Sequence, residues 1–300
     1  MKTIKLRNDK TLPSVGFGTY LIKDEDAEKV VFTALENGYR HIDTGQAYGN
    51  ERGVGNAIKK YMMQYKLSRD ELYITTKLWP GNAEWGQNVA DYDTTISSLE
   101  HSLKLLELDY VDLYLIHAPF KKEDRLDQWR ALVELKKHGK AKSIGVSNYD
   151  IKHIQEIKEA GMELPDANQI ELHPWSQKND LVAYLKEENI GIIAYSSLLP
   201  LSTWRVEDGQ VSAKTKEMSE EKLPFEEISN KYNVSEAQLL LKWGLQNGYG
   251  ILPKSMDETR IKNNIDLFNF EIEEKDMRLM SNLDRGEGLA WQHGDPTKVE

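Results

Sequence analysis

A barrel of eight parallel β-strands, each followed by an α-helix, is the fold class that the sequence predicts, and three observations predict it. Eight strand-like apolar runs alternate with amphipathic segments along the whole chain, the pattern of a parallel sheet. The chain has 300 residues, enough for one barrel of about 250 residues with additions at its ends. Four polar residues, Asp43, Tyr48, Lys77 and His117, stand at or just beyond the ends of such runs, and a parallel barrel gathers its strand ends on one face.

The elements follow in order. Residues 1–14 read as a β-hairpin, with Thr3–Leu6 turning at Asn8-Asp9 into Thr11–Pro13, a plug or lid ahead of the barrel. The strand candidates are Val15–Gly18, His41–Asp43, Leu72–Lys77, Val111–His117, Ser143–Ser147, Asn168–Glu171, Gly191–Tyr195 and Gly250–Pro253. Amphipathic segments at 25–37, 51–64, 91–107, 124–138, 150–160, 178–188 and 235–247 separate them. Ser235-Glu236-Ala237-Gln238 is a capping box that opens the last of these. It also explains the serine of Asn233-Val234-Ser235 better than a glycosylation sequon does. A short tail follows from about Leu289. An open doubly wound sheet would want Gly-x-Gly-x-x-Gly after its first strand. Gly16-Phe17-Gly18-Thr19 lacks the third glycine. With no Pro/Gly/Ser linker or low-complexity tract, residues 1–300 are expected to form one domain.

Composition narrows the function. There is no cysteine, which excludes disulfides, thiolate chemistry and cysteine metal clusters. The net charge of −10 argues against general nucleic-acid binding. No apolar run is long enough to span a membrane, and Met1-Lys2-Thr3-Ile4-Lys5-Leu6-Arg7 has no signal-peptide core. A cytoplasmic monomer acting on a small molecule is expected.

An acid, a phenol, an amine and an imidazole at one point form a proton-transfer kit for a carbonyl. A free tyrosine has a pKa of about 10, and a nearby ammonium eases its ionisation. In this reading Tyr48 donates the proton, Lys77 lowers its pKa, Asp43 holds Lys77 charged, and His117 orients the substrate oxygen. Negative charge growing on that oxygen would be stabilised by the set.

The segment Asp43-Thr44-Gly45-Gln46-Ala47-Tyr48-Gly49-Asn50-Glu51 resembles the Asp-Thr-Ala-x-x-Tyr-Gly-Asn-Glu motif of the aldo-keto reductases, with Gly45 in place of alanine. Leu105–His117 resembles the fourth-strand signature of the same family, and the likeness runs nearly end to end. The resemblance implies a nicotinamide dinucleotide bound without a Rossmann motif. It implies Ser147, Asn148 and Gln169 on the carboxamide, Tyr195 stacked on the nicotinamide, and Gly18, Thr19 and Asp43 beside it. Ser196 and Leu198 belong to the loop that covers the pyrophosphate. There the family's Ser-Pro-Leu-Gly is replaced by Ser196-Ser197-Leu198-Leu199, so the loop is expected to close differently.

Ile251–Asn264 resembles the family's adenosine-phosphate segment. It implies Lys254, Ser255 and Arg260 around a 2′-phosphate and Asn264 on the adenine, hence NADPH rather than NADH. Arginine forks onto phosphate oxygens and lysine adds a point charge. Asn263 replaces a common glutamate, so the adenine contacts are expected to differ.

The substrate side is expected to comprise Tyr20, Tyr48, Trp79, His117, Ala118 and Trp291, the last in the short C-terminal tail that the resemblance implies is a substrate loop, with Trp204 a lesser candidate. Many relatives carry His-Trp-Pro where this chain has His117-Ala118-Pro119, so a pocket widened at Ala118 is expected. The short stretch before the next helix adds to the expectation of an open cleft. Histidine at 117 points to carbonyl rather than steroid double-bond reduction. Glu171-Leu172-His173 lacks a second histidine at metal-ligand spacing and is read as a strand end. The alternative function is a cofactor-binding regulatory subunit of the same superfamily. A phosphate-binding barrel isomerase would leave Tyr48 and Lys77 unexplained.

Overall fold

The computed structural model describes residues 2–210, 212–292 and 294–300. A two-stranded antiparallel hairpin, β1 Thr3–Lys5 and β2 Thr11–Pro13, precedes the barrel. The barrel strands are β3 Phe17–Gly18, β4 His41–Asp43, β5 Tyr73–Leu78, β6 Val111–Ile116, β7 Ala141–Ser147, β8 Ala167–Glu171, β9 Gly191–Tyr195 and β10 Gly250–Ile251. Each is parallel to the next. A parallel bridge between Val15 and Ile251 joins the last strand to the first and closes the (β/α)8 barrel. Gly16 stands at this seam because a Cβ there would lie 2.4 Å from His41 Nδ1.

Seven expected helical segments appear as α1 Asp24–Glu36, α2 Glu51–Tyr65, α3 Tyr92–Leu106, α4 Lys122–Lys137, α5 Ile151–Glu159, α6 Asn179–Glu187 and α9 Glu236–Gln246. The Ser235 capping box is present in full. Four helices went unread: α7 Lys216–Glu220, α8 Phe225–Tyr232, α10 Glu258–Ile265 and α11 Glu274–Ser281. They are short, and α10 lies in a stretch whose charges had drawn the attention. Among the described residues no helix is long and apolar enough to cross a membrane.

The pleat's period of two places the site. In β6, Tyr114 and Ile116 join the layer between strands and helices, while Leu113 and Leu115 point into the barrel. The same parity turns Asp43, Lys77 and His117 inward. The lower interior is filled by Leu113, Leu115, Ala167 and Ile193, against which the hairpin residues Leu6 and Leu12 pack. The hairpin is therefore the expected plug, and the opposite, C-terminal end of the barrel is left for chemistry.

Candidate active site

Lys77 is wholly buried and gives three hydrogen bonds, which is all an ammonium has. They run to Asp43 Oδ1 at 2.5 Å, to the Thr44 carbonyl at 2.7 Å and to the Tyr48 hydroxyl at 3.2 Å. Gln169 Nε2 donates to the other Asp43 oxygen at 2.8 Å. Asp43 and Tyr48 hold Lys77 above its ordinary pKa despite its burial. Asn50 and Glu51, next to Tyr48, serve architecture. Asn50 donates to the carbonyls of Thr19 and Ile22 and accepts from Thr44, while buried Glu51 accepts from Thr76 and Ser102. These bonds fix the loop that carries the phenol.

One expectation is met in direction but not in sum. Lys77 does lower the Tyr48 pKa, but burial, the largest cause, raises it, and Asp43 adds to the rise. The phenol thus keeps its proton, which suits a donor. His117 lies with its ring 5.5 Å from that of Tyr48. Burial, then Lys77, pushes its pKa down to about 3, so the imidazole is neutral. Its Nδ1 is buried without a partner, leaving Nε2 as the ring nitrogen for a substrate oxygen.

Rings surround this point. Tyr20 stands 5.3 Å from Tyr48, and Trp79 stands 5.3 Å and Trp291 6.3 Å from His117. Phe120 and Trp85, which the sequence reading missed, extend the wall. Phe120 lies 5.5 Å from Trp79, 5.1 Å from Trp85 and 6.1 Å from Trp291. Phe120 is three residues beyond His117, the one cue that could have found it. Ala118 corrects a second expectation. It is completely buried, so it offers no surface to a substrate. Trp79, Phe120 and Trp291 form an aromatic wall at the site. Trp204 packs its ring under the Arg205 guanidinium, 4.5 Å away.

The residues expected at a nicotinamide form one connected set. Asn148 donates to the His117 carbonyl at 2.9 Å and to Ser147 Oγ at 3.1 Å, and Ser147 Oγ donates to the Gln169 carbonyl at 2.7 Å. The Tyr195 hydroxyl donates to Asn148 Oδ1 at 2.6 Å and accepts from Trp291 Nε1 at 3.0 Å. Thr19 Oγ1 donates to the Asp43 carbonyl, and Gly18 pairs in register with Asp43. Asn148 and Ser196 take left-handed backbones, at φ 63° and 53°, which marks the loops after β7 and β9 as specially shaped. Leu198 is half-buried beside Ser196, and Ser197 Oγ is buried without a partner. Arg205, unforeseen, spans this loop and the tail, donating to Ser196 Oγ at 2.9 Å and the Ala290 carbonyl at 3.2 Å. Its irregular loop carries no periodic cue.

The expected phosphate residues also converge. Exposed Lys254 and Arg260 share the start of α10, which Asp257 caps. Although Lys254 is accessible, the surrounding protein partly desolvates its ammonium and lowers its pKa, and the Arg260 charge lowers it further. Ser255 Oγ accepts from Arg260 Nε at 3.2 Å and from the Asp257 N–H at 3.0 Å, so its own proton remains to be donated. Two repelling cations and a free hydroxyl proton at a helix N-terminus fit a phosphate. Asn264 is buried one turn past Arg260.

The family model described as the aldo/keto reductase family matches residues 14–285. The chain is 38% identical over 289 residues to a glyoxal reductase of Bacillus subtilis, covering 96% of this chain and 95% of that protein. It is 35% identical over 288 residues to methylglyoxal reductase DkgA of Escherichia coli, covering 96% and 95%. A solved aldo-keto reductase of Bombyx mori in complex with NADP superposes with a TM-score of 0.83 at 31% identity, over 95% of this chain and 93% of that one. With its barrel, its Asp43–Lys77–Tyr48 cluster and these matches, the chain belongs to the aldo/keto reductase family.

Proposed function

We propose that the protein reduces an aldehyde or ketone to the alcohol with NADPH, the proton coming from Tyr48. The observation that carries this is the Lys77 ammonium, 2.5 Å from Asp43 and 3.2 Å from the Tyr48 hydroxyl, beneath a neutral His117. The relatives named above as glyoxal and methylglyoxal reductases support it, as does the NADP complex of the Bombyx mori relative.

NADPH, when bound, supplies a hydride from nicotinamide C4. Gln169, Asn148 and Ser147 would hold its carboxamide and Tyr195 its ring. Lys254, Ser255, Arg260 and Asn264 would hold the adenosine phosphate, with Ser196 and Leu198 along the pyrophosphate. As the carbonyl carbon is reduced, its π electrons move onto oxygen. His117 Nε2 would donate a hydrogen bond to that oxygen, and Tyr48 would transfer its proton. Lys77 then faces a phenolate, and the attraction it could not exert on the neutral phenol stabilises that anion. The aromatic wall keeps water from competing with Tyr48 and suits carbonyls with an apolar face.

The test is loss of NADPH absorbance against a panel of glyoxal, methylglyoxal, sugars, α-keto esters, diketones and aromatic aldehydes. Turnover that Tyr48→Phe abolishes supports the reading. Binding of NADPH without turnover of any carbonyl overturns it in favour of a regulatory subunit.

A further inference from the structure

Glu171, the last residue of β8, is 1% exposed, and among the described residues the hydrogen bonds to its carboxylate come from N–H donors. Oε1 accepts from His173 Nε2 at 2.8 Å and from the Leu289 main-chain N–H at 2.7 Å. Oε2 accepts from the Ala290 main-chain N–H at 2.9 Å. Two successive amides of the tail are thus gathered by one carboxylate from the barrel. The next residue is Trp291, whose indole N–H reaches the Tyr195 hydroxyl at 3.0 Å and whose ring stands 6.3 Å from His117. Tyr195 in turn donates to Asn148, which donates to the His117 carbonyl. A chain of hydrogen bonds therefore runs from the tail to the backbone of His117. Among the described residues Glu171 is the acceptor for both tail N–H groups, while Arg205 holds the Ala290 carbonyl and Ala213 and Ser212 hold that of Leu289.

The fit is close. A Cβ on Gly288 would fall 2.8 Å from Glu171 Oε2 and 2.9 Å from Asp295 Oδ2, so a side chain there would lift the tail off the carboxylate. Asp295 accepts from the Gly288 N–H and pairs with Lys178, which keeps the return of the tail in place. Trp175, Leu199 and Leu289 form a small apolar cluster beneath this crossing.

We propose that Glu171 is a positioning residue. By holding the N–H groups of Leu289 and Ala290 it sets the place of Trp291, and through the Trp291–Tyr195 hydrogen bond it couples the substrate wall to the nicotinamide end of the site. The proposal rests on the carbonyl-reductase reading for its kinetic consequences but not for its geometric ones. A carboxylate bound to two amides loses one acceptor in Glu171→Gln, where an NH₂ would face an N–H. A charge-assisted hydrogen bond of this kind is worth roughly tenfold or more in an equilibrium.

The test uses the full chain and four variants: Glu171→Gln, Gly288→Ala, Trp291→Phe and the double variant Glu171→Gln with Trp291→Phe. In the protein without ligands, hydrogen exchange of the Leu289 and Ala290 amides should rise about tenfold in Glu171→Gln and in Gly288→Ala. Unchanged exchange would overturn the clamp whatever the enzyme does. In turnover, Glu171→Gln and Trp291→Phe should each raise KM for an aromatic aldehyde about tenfold and change kcat much less. The double variant should show little more than either single change. Multiplicative losses, or equal losses in kcat, would mean that Glu171 merely supports the barrel. Gly288→Ala alters only the tail, so it keeps the test standing should Glu171→Gln fail to fold. Its KM should rise with its exchange, and a rise in exchange without one would overturn the coupling. Wild-type protein that turns over no carbonyl would sink the proposed function alone, with the exchange result still deciding the clamp.

Discussion

Lys77 gives its shortest hydrogen bond, 2.5 Å, to Asp43 and a longer one, 3.2 Å, to Tyr48. The ammonium therefore meets the phenol already partly neutralised. That order adds to burial, the larger cause, in keeping the Tyr48 proton in place at rest, and leaves Lys77 to act once the proton has left.

Tyr48→Phe keeps the ring and removes the transferable proton. Reduction should fall by about 10²–10⁴-fold, the usual worth of a general acid, with NADPH affinity nearly unchanged. Steady-state kinetics and a cofactor titration by protein fluorescence check both halves. A variant with more than half the wild-type turnover would remove Tyr48 from its role.

Lys77→Met leaves Asp43 buried with only Gln169 as a partner. Breaking such a pair costs about 3–5 kcal/mol, so both stability and turnover should fall. Adding Asp43→Asn should restore much of the stability and none of the turnover. Denaturant unfolding and NADPH oxidation on the same samples separate the two roles, and joint recovery would refute the separation.

Arg260→Ala should weaken NADPH by about 10–150-fold and leave NADH nearly unchanged, because only NADPH carries the 2′-phosphate. Equal losses for both dinucleotides would place the phosphate elsewhere.

Ala118→Trp puts an indole into fully packed surroundings. Overpacking by a few methylenes already costs about 1–3 kcal/mol, so a large loss of stability is expected rather than a narrower substrate range. A stable variant that merely discriminates against bulky ketones would show that Ala118 faces the substrate after all.

Burial holds His41 and His117 down to about 3 and His153 to about 4. Their unfolded pKa is near 6.5. Between that value and the folded one, the unfolded chain binds more protons, so these groups make stability rise with pH and reach their full contribution above about 6.5. His41→Asn should reduce the slope of unfolding free energy against pH between about 4 and 6 by about one proton, or about 1.4 kcal/mol per pH unit. Above about 6.5 the two curves should run parallel. An unchanged acid slope would show that His41 charges readily within the fold.

Strand ends made most of this site legible. Asp43, Lys77 and His117 close apolar runs and Tyr48 follows at a turn, so strand-end placement together with the Asp43–Glu51 motif let their meeting be inferred. Lys254, Ser255 and Arg260 are close in sequence but became legible only through the resemblance of Ile251–Asn264 to the family's adenosine-phosphate segment. Arg205 and Glu171 were not legible. Their partners are a loop hydroxyl and main-chain groups more than 80 positions away, which leave no mark in any periodic pattern. Ala118 misled because a small residue was equated with empty space, whereas its side chain is fully buried in the fold.

The closing seam of the barrel has a consequence for synthesis. Val15 bridges Ile251, and the Arg7 N–H meets the Asp166 carbonyl, so the first-made residues wait for partners that leave the ribosome much later. Until β10 emerges, β3 presents an unpaired parallel edge, the kind of template on which nascent chains aggregate. The hairpin cannot relieve this, because β1 and β2 pair only with each other. A translational pause ahead of Gly250 should therefore lower the soluble yield more than an equal pause placed once Gly250 and Ile251 have left the ribosome, when every barrel strand is available.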